Sequence, residues 1–284
     1  MEDNIKYLRN CIKENNNFGE PFKCNVATLT DELAMLYPQY DYKNLGFKLS
    51  NLNVTIDNSI ENYSIYDDKN NCLKLNIGKI FEDRIDLQHL FLNEMLLIQN
   101  KSYEKNEMSK GFSIGVSEAI ASTMNNDESM KKLNALNYTA ISAFSKIVDP
   151  EIILNGFMNN TMEDIVTSLE EKGIDKEEFG KLLNCFNNMN NKEPNTSFAE
   201  AQKIIINMYK KTIQNDLTNG KISFEDLKNK FDEFSQMLIF NNSELMLLYP
   251  FIDFTNVIGL DDVKPTLDAS IVDCEIIDVN VPTK

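Results

Sequence analysis

The sequence predicts an α+β protein in which helix predominates. Three observations carry that reading. Short runs at 52–56, 63–66 and 72–77 have strand character and lie close together. One run, 87–98, is apolar around most of a helical circumference. Downstream, apolar residues recur at helical spacing, punctuated by Gly, Pro and Asn.

Taken in order, residues 5–14 suit a short amphipathic helix, and 15–22 a break with Gly19, Pro21 and an asparagine run. A helix is expected at 28–36, with Thr30 or Asp31 near its start and Pro38 beyond its end. The run 52–56 alternates as a strand does. The runs 63–66 and 72–77 flank the polar turn 67–71, which predicts a hairpin within a small sheet. That turn is too long for the tightest hairpin, so the pairing is only partly specified. In 87–98, Leu90, Phe91, Leu92, Met95, Leu96, Leu97 and Ile98 cover most of the circumference, so this helix is expected to be buried on several sides.

A polar loop is expected at 100–110. Gly111 and Gly115 suggest a loop that lets the next helix pack close. They lack the preceding strand and full fingerprint of a phosphate site. Helices follow at 116–124 and 130–147, with Asp149-Pro150 as a boundary, and a short helix at 151–158. Runs 162–172 and 176–186 make a hairpin around Gly173. The polar stretch 187–195, with Pro194, reads as a linker. Beyond it, 198–213 and 224–240 form a second helical pair around Asn219-Gly220. After Pro250 helical periodicity is lost, and 269–281 alternates weakly as a strand or extended arm. The expected division is 1–190 and 191–284.

A chain of 284 residues with 42% apolar content supports one substantial core, or a core domain with an appendage. Its 44 acidic against 28 basic residues leave a formal charge of -16, which repels phosphate backbones and anionic lipid. No nucleic-acid or membrane partner is therefore expected. The start, Met1-Glu2-Asp3-Asn4, lacks the basic and apolar character of a signal peptide. No window is apolar enough to span a bilayer. Five scattered cysteines have no metal spacing and suit buried thiols in a reducing cytosol. The expected location is cytoplasmic.

The chemistry-bearing stretch is 91–98, Phe-Leu-Asn-Glu-Met-Leu-Leu-Ile. Helical residues four apart share a face. A zinc protease helix uses that spacing for two histidines and places a glutamate beside the first to activate water. Here Asn93 and Leu97 stand at the histidine positions, and Glu94 at the base position. Leu97 has no lone pair, an amide oxygen is a poor zinc ligand, and His89 is the single histidine of the chain. A two-histidine zinc site is excluded. His89, Asn93 and Glu118 form an outside alternative for a harder metal. The plainer reading of His89 is a helix-end histidine satisfied by a hydrogen bond. Glu94 and Glu118 as an acid–base pair is another alternative, since facing carboxylates raise one pKa. The plainer reading makes one of them partly exposed or hydrogen-bonded to Asn93, Ser117 or a tyrosine. Residues 215–226 outline a calcium loop with Gly220 sixth, but Leu217 third and Asp226 last favour a plain helical hairpin.

The order of elements around Asn93 and Glu118 resembles the zincin-like metallopeptidases of the gluzincin type. Those enzymes use a His-Glu-x-x-His helix and a glutamate ligand on a following helix. Asn93 matches the first histidine, Glu94 the general base and Leu97 the second histidine. Glu118, in Gly115-Val116-Ser117-Glu118-Ala119, matches the third ligand. The pattern is also similar to small gluzincin-like proteins of low-GC Gram-positive bacteria, with Tyr138, Ile147-Val148-Asp149-Pro150-Glu151, Phe157 and Asn160 in the expected layout. The resemblance covers roughly residues 50–185 and implies a zincin-like core with both histidines replaced.

The expectation is a zincin-like α+β domain with a small N-terminal sheet, followed by an added C-terminal helical region. Its expected function is that of a non-catalytic pseudo-metallopeptidase, without cofactor or metal, which serves as a protein-interaction or structural module. The partner is an unidentified protein, as in an immunity-like pairing, or a second copy docking through the apolar run 245–254. The rival is an enzyme using Glu94 and Glu118 as acid and base or with a non-zinc metal. An enzyme requires an open cleft holding both carboxylates; a binding module is expected to fill that cleft with Leu97, Met95 or nearby side chains.

Overall fold

Apolar spacing and capping residues account for most of the observed elements. The computed structural model describes residues 2–101, 109–125, 133–190 and 194–223, with positions 226, 229 and 230. All lie in the unit Met1–Tyr249. Among the described residues the fold is predominantly helical, with one three-stranded sheet and a long late helix.

Helix α1 (Glu2–Glu14) buries Leu8, Cys11 and Ile12 on one face, against α2 (Glu20–Leu36). The second helix starts at Glu20, well before the expected 28. Pro21 sits in its first turn, where a missing N–H removes no intrahelical bond. Thr30 is therefore mid-helix and no cap; its hydroxyl donates to Val26 O at 3.0 Å. A short helix α3 (Lys43–Leu49), too brief to leave a periodic signal, follows. Buried Asn15 ties this corner together by donating to Leu49 O at 2.7 Å and Leu52 O at 2.9 Å.

The strands β1 (Asn53–Ile56), β2 (Ser64–Asp67) and β3 (Cys72–Leu75) form a sheet of order β1-β3-β2. The expected hairpin is β2–β3, antiparallel with Ile65 opposite Lys74; β1 pairs parallel with β3. The Asp67 carboxylate shapes the turn by accepting from the Lys69 and Asn70 amides at 3.1 and 3.3 Å. Asn71 adopts φ 44°, a left-handed conformation that asparagine tolerates. Strand β2 is at an edge. Ile77, read as strand, instead opens α4 (Ile77–Glu82), because Asn76 caps it by accepting from Lys79 N at 2.9 Å.

Helix α5 (Leu87–Gln99) is the centre of the molecule's described part. Asp86 caps it by accepting from His89 N at 2.7 Å, and 11 of its residues are buried. It packs on α3 and on α6 (Lys110–Asn125). Gly111 and Gly115 therefore lie in a helix and not in the expected loop. They still permit close packing. A Cβ on Gly111 would stand 2.2 Å from Phe186 O, and one on Gly115 would stand 2.8 Å from Asn137 O. Buried Asn137 locks the contact by donating to Gly111 O at 3.0 Å and Phe186 O at 3.2 Å.

Helix α7 (Ala135–Phe144) is shorter than the expected 130–147. Helix α8 (Pro150–Asn159) starts at the expected Asp149-Pro150 boundary and ends on left-handed Asn160. Helices α9 (Glu163–Glu171) and α10 (Lys176–Asn188) form the hairpin around Gly173. There Gly173 N and Ile174 N bond Glu170 O and Leu169 O, both at 3.0 Å, a Schellman stop. Phe112, Phe144, Phe179 and Phe186 meet edge-on or stacked between α6, α7 and α10. Of the stretch 187–195, Asn187 and Asn188 finish α10, 191–193 lie outside the described residues, and Pro194 opens α11 (Pro194–Thr218), which packs on α7 and α10. The runs 245–254 and 269–281, and nearly all of 224–240, lie outside the described residues.

Candidate functional site

The motif positions of α5 look in two directions. Asn93, Glu94 and Leu97 line a cleft of about 850 Å³, which is also walled by Ser64, Ile65 and Tyr66 of β2 and by Leu133 and Asn134 before α7. His89 and Glu118 lie behind this wall, at 1% and 0% exposure.

Glu118 comes from the third turn of α6, beside α5. Its Oε1 is 2.7 Å from His89 Nε2 and accepts from Leu133 N at 3.1 Å. Its Oε2 accepts from Asn93 Nδ2 at 2.9 Å and stands 3.5 Å from Asn134 Nδ2. An ionised carboxylate only accepts, so the first contact requires a proton on Nε2. At the other end of the Asn93 amide, Oδ1 stands 3.1 Å from Ser117 Oγ, whose one proton is shared with Ile114 O at 3.0 Å. His89, Asn93 and Glu118 are thus brought together, with Ser117 completing the chain. His89 is a buried histidine near a helix start, held by a hydrogen bond.

Glu94 faces the other way. Its Oε1 accepts from Ser64 Oγ at 2.5 Å, so the base-position carboxylate is tied to the edge strand. The two glutamates do not share a cavity: Glu94 lines the cleft and Glu118 does not. Both are buried, and Glu118 accepts from Asn93, so of the two expected arrangements it is the hydrogen-bonded one that occurs. Among the described residues the cleft is lined by one carboxylate, Glu94; Leu97 is in its wall, and Met95 is in the core.

The residues do not fit the zinc ion that the resemblance implies. Leu97 offers no lone pair. Asn93 presents N–H to Glu118 and commits its oxygen to Ser117. The Glu118 oxygens are already engaged by N–H groups. Among the described residues no cluster of three His, Cys, Asp or Glu side chains could hold a metal ion. The calcium-loop outline fails similarly. Asn215 and Leu217 belong to α11, and Asp226 exchanges bonds with Ser223, each side chain accepting from the other's amide at 3.1 and 3.2 Å. That is a capping box. The Ser223 hydroxyl, donating to Asp226 Oδ2 at 2.6 Å, and then the Ser223 amide hold the Asp226 carboxyl below the usual carboxylate range.

Sequence reasoning missed Ser64, Leu133 and Asn134. Ser64 left no signal because its link to Glu94 crosses from a strand to a helix. Leu133 acts through its backbone, which no side-chain pattern reveals.

No protein-family profile matches the chain, no curated protein matches it, and no solved structure matches it.

Proposed function

We propose that this chain is a pseudo-metallopeptidase, a zincin-like scaffold that binds an extended segment of a protein partner and does not cut it. The observation that carries this reading is the open cleft between edge strand β2 and helix α5, with Leu97 where a second nitrogen ligand is needed. An edge strand is a template for an added strand, because alternate main-chain groups point away from its neighbour. Register supports this use. Ile65 is 40% exposed and lines the cleft, so it can contact a guest side chain. Glu94 retains the base position, but base chemistry on water needs an electrophile activated beside it, and Leu97 contributes nothing to that. The acid–base alternative has less support, since Glu118 is outside the cleft.

The test is selection of peptides from a random display library by the full chain. Selected peptides are measured by fluorescence polarisation against wild type and Ile65→Asp, and the same tubes are read by mass spectrometry with and without added zinc. Intact peptides that bind at least about tenfold more weakly to Ile65→Asp are expected, a loss of about 1.4 kcal/mol. Failure to select any peptide, equal binding by the variant, or cleaved peptide overturns the reading.

A further inference from the structure

Three of the donors aimed at Glu118 belong to residues of the cleft wall. Asn93, Leu133 and Asn134 all line the cleft, and each directs an N–H at the carboxylate behind it. His89 closes the set from within the core. The donors come from α5 and from the turn that enters α7, and the acceptor from α6.

We infer that Glu118 is a positioning residue that shapes the cleft without a metal ion: its carboxylate gathers N–H groups from α5 and the turn before α7, and so sets where Asn93 and Asn134 stand in the wall. A carboxylate has roughly four lone-pair sites, and N–H groups from His89, Asn93, Leu133 and Asn134 point at them. A cation needs those same lone pairs, and its other ligands must offer lone pairs and not hydrogens. The cluster therefore suits a carboxylate and excludes a cation on one and the same ground. Hydrogen bonds to a charged acceptor are about twice as strong as neutral ones, which suits a buried clamp. A carboxamide cannot replace it, since its NH2 would face N–H donors. This inference goes beyond the question of what the cleft binds.

The experiment is amide NMR on the deuterated, 15N-labelled full chain. The readouts are the Leu133 backbone amide and the side-chain amides of Asn93 and Asn134. In wild type, the Leu133 amide is expected to exchange at least about 100-fold more slowly than an open turn, because its proton is held by Glu118. Tenfold excess zinc is expected to leave all three signals in place. Glu118→Gln is expected to move all three while the Phe144 and Phe179 amides stay. Free exchange at Leu133, zinc shifts that saturate at one equivalent, or unmoved signals in the variant overturn the inference. Should the variant not fold, the wild-type exchange and zinc titration decide by themselves. No peptide enters the experiment, so its failure is distinct from failure of the binding reading.

Discussion

His89 poses a chemical question at the scale of one residue. A single histidine on an apolar helix can be a ligand or a satisfied core group, and the 2.7 Å contact with Glu118 supports the latter. Removing it leaves a buried carboxylate short of a donor. His89→Ala should lose about 3 kcal/mol, measured as a lower urea midpoint at unchanged slope. A loss below about 1 kcal/mol would mean the contact is weak in solution. Cys185 is a second case. Burial, and then the nearby Glu200 carboxylate, push its thiol up to about 11. In the unfolded chain the thiol ionises first, so between about pH 9 and 11 the unfolded state binds fewer protons. Its contribution is complete below that window and is lost as pH rises through it. Cys185→Ala should flatten the fall in stability over pH 9–11, followed by denaturant titration at each pH.

At the scale of elements, packing distance is set by α6. Gly111 and Gly115 let it approach α10 and α7 more closely than any side chain would allow. Gly115→Val places carbon against Asn137 O and Ile141, so a loss of about 2–4 kcal/mol is expected. Gly180, in the interior of α10, has nothing within 4 Å of a Cβ. Gly180→Ala should instead gain about 0.5–1 kcal/mol by removing backbone freedom from the unfolded chain. Thermal melts of the two variants should move in opposite directions. A fall for Gly180→Ala would mean that the space beside Gly180 is not open in solution.

For the molecule as a whole, the relation of α5 to α6 carries the zincin-like reading. Under that reading nitrogen ligands are wanting at 93 and 97, and replacing Asn93 also frees Glu118 Oε2 of its 2.9 Å N–H partner. The double substitution Asn93→His with Leu97→His should convert the wall into a three-ligand site with Glu118, and His89 would remain as its hydrogen-bonding support. Plasma mass spectrometry of chelator-treated, zinc-reloaded protein should then find about one zinc per chain in the double variant and less than about 0.1 in wild type. Zinc in neither would count against the zincin-like geometry. Zinc in wild type, lost on Glu118→Ala, would overturn the pseudoenzyme reading.

The local sequence determined what depends on near neighbours. The β2–β3 hairpin, the buried α5, the Asp149-Pro150 start of α8 and the Gly173 stop all arise from periodicity, capping and turn chemistry within a few residues. The chemical limit was also legible there, because no arrangement gives Leu97 a lone pair. Short elements were not: α3 and α4 span too few residues to show a period, and Pro21 reads as a breaker unless the helix is known to begin beside it. The tertiary structure alone decided which carboxylate meets the cleft. Glu94 and Glu118 are alike as side chains, but one is tied to a strand 30 positions away and the other is enclosed by donors from α5 and from before α7. Those hydrogen bonds have fixed range and direction and join residues far apart in the chain, so they exist only once the helices have packed.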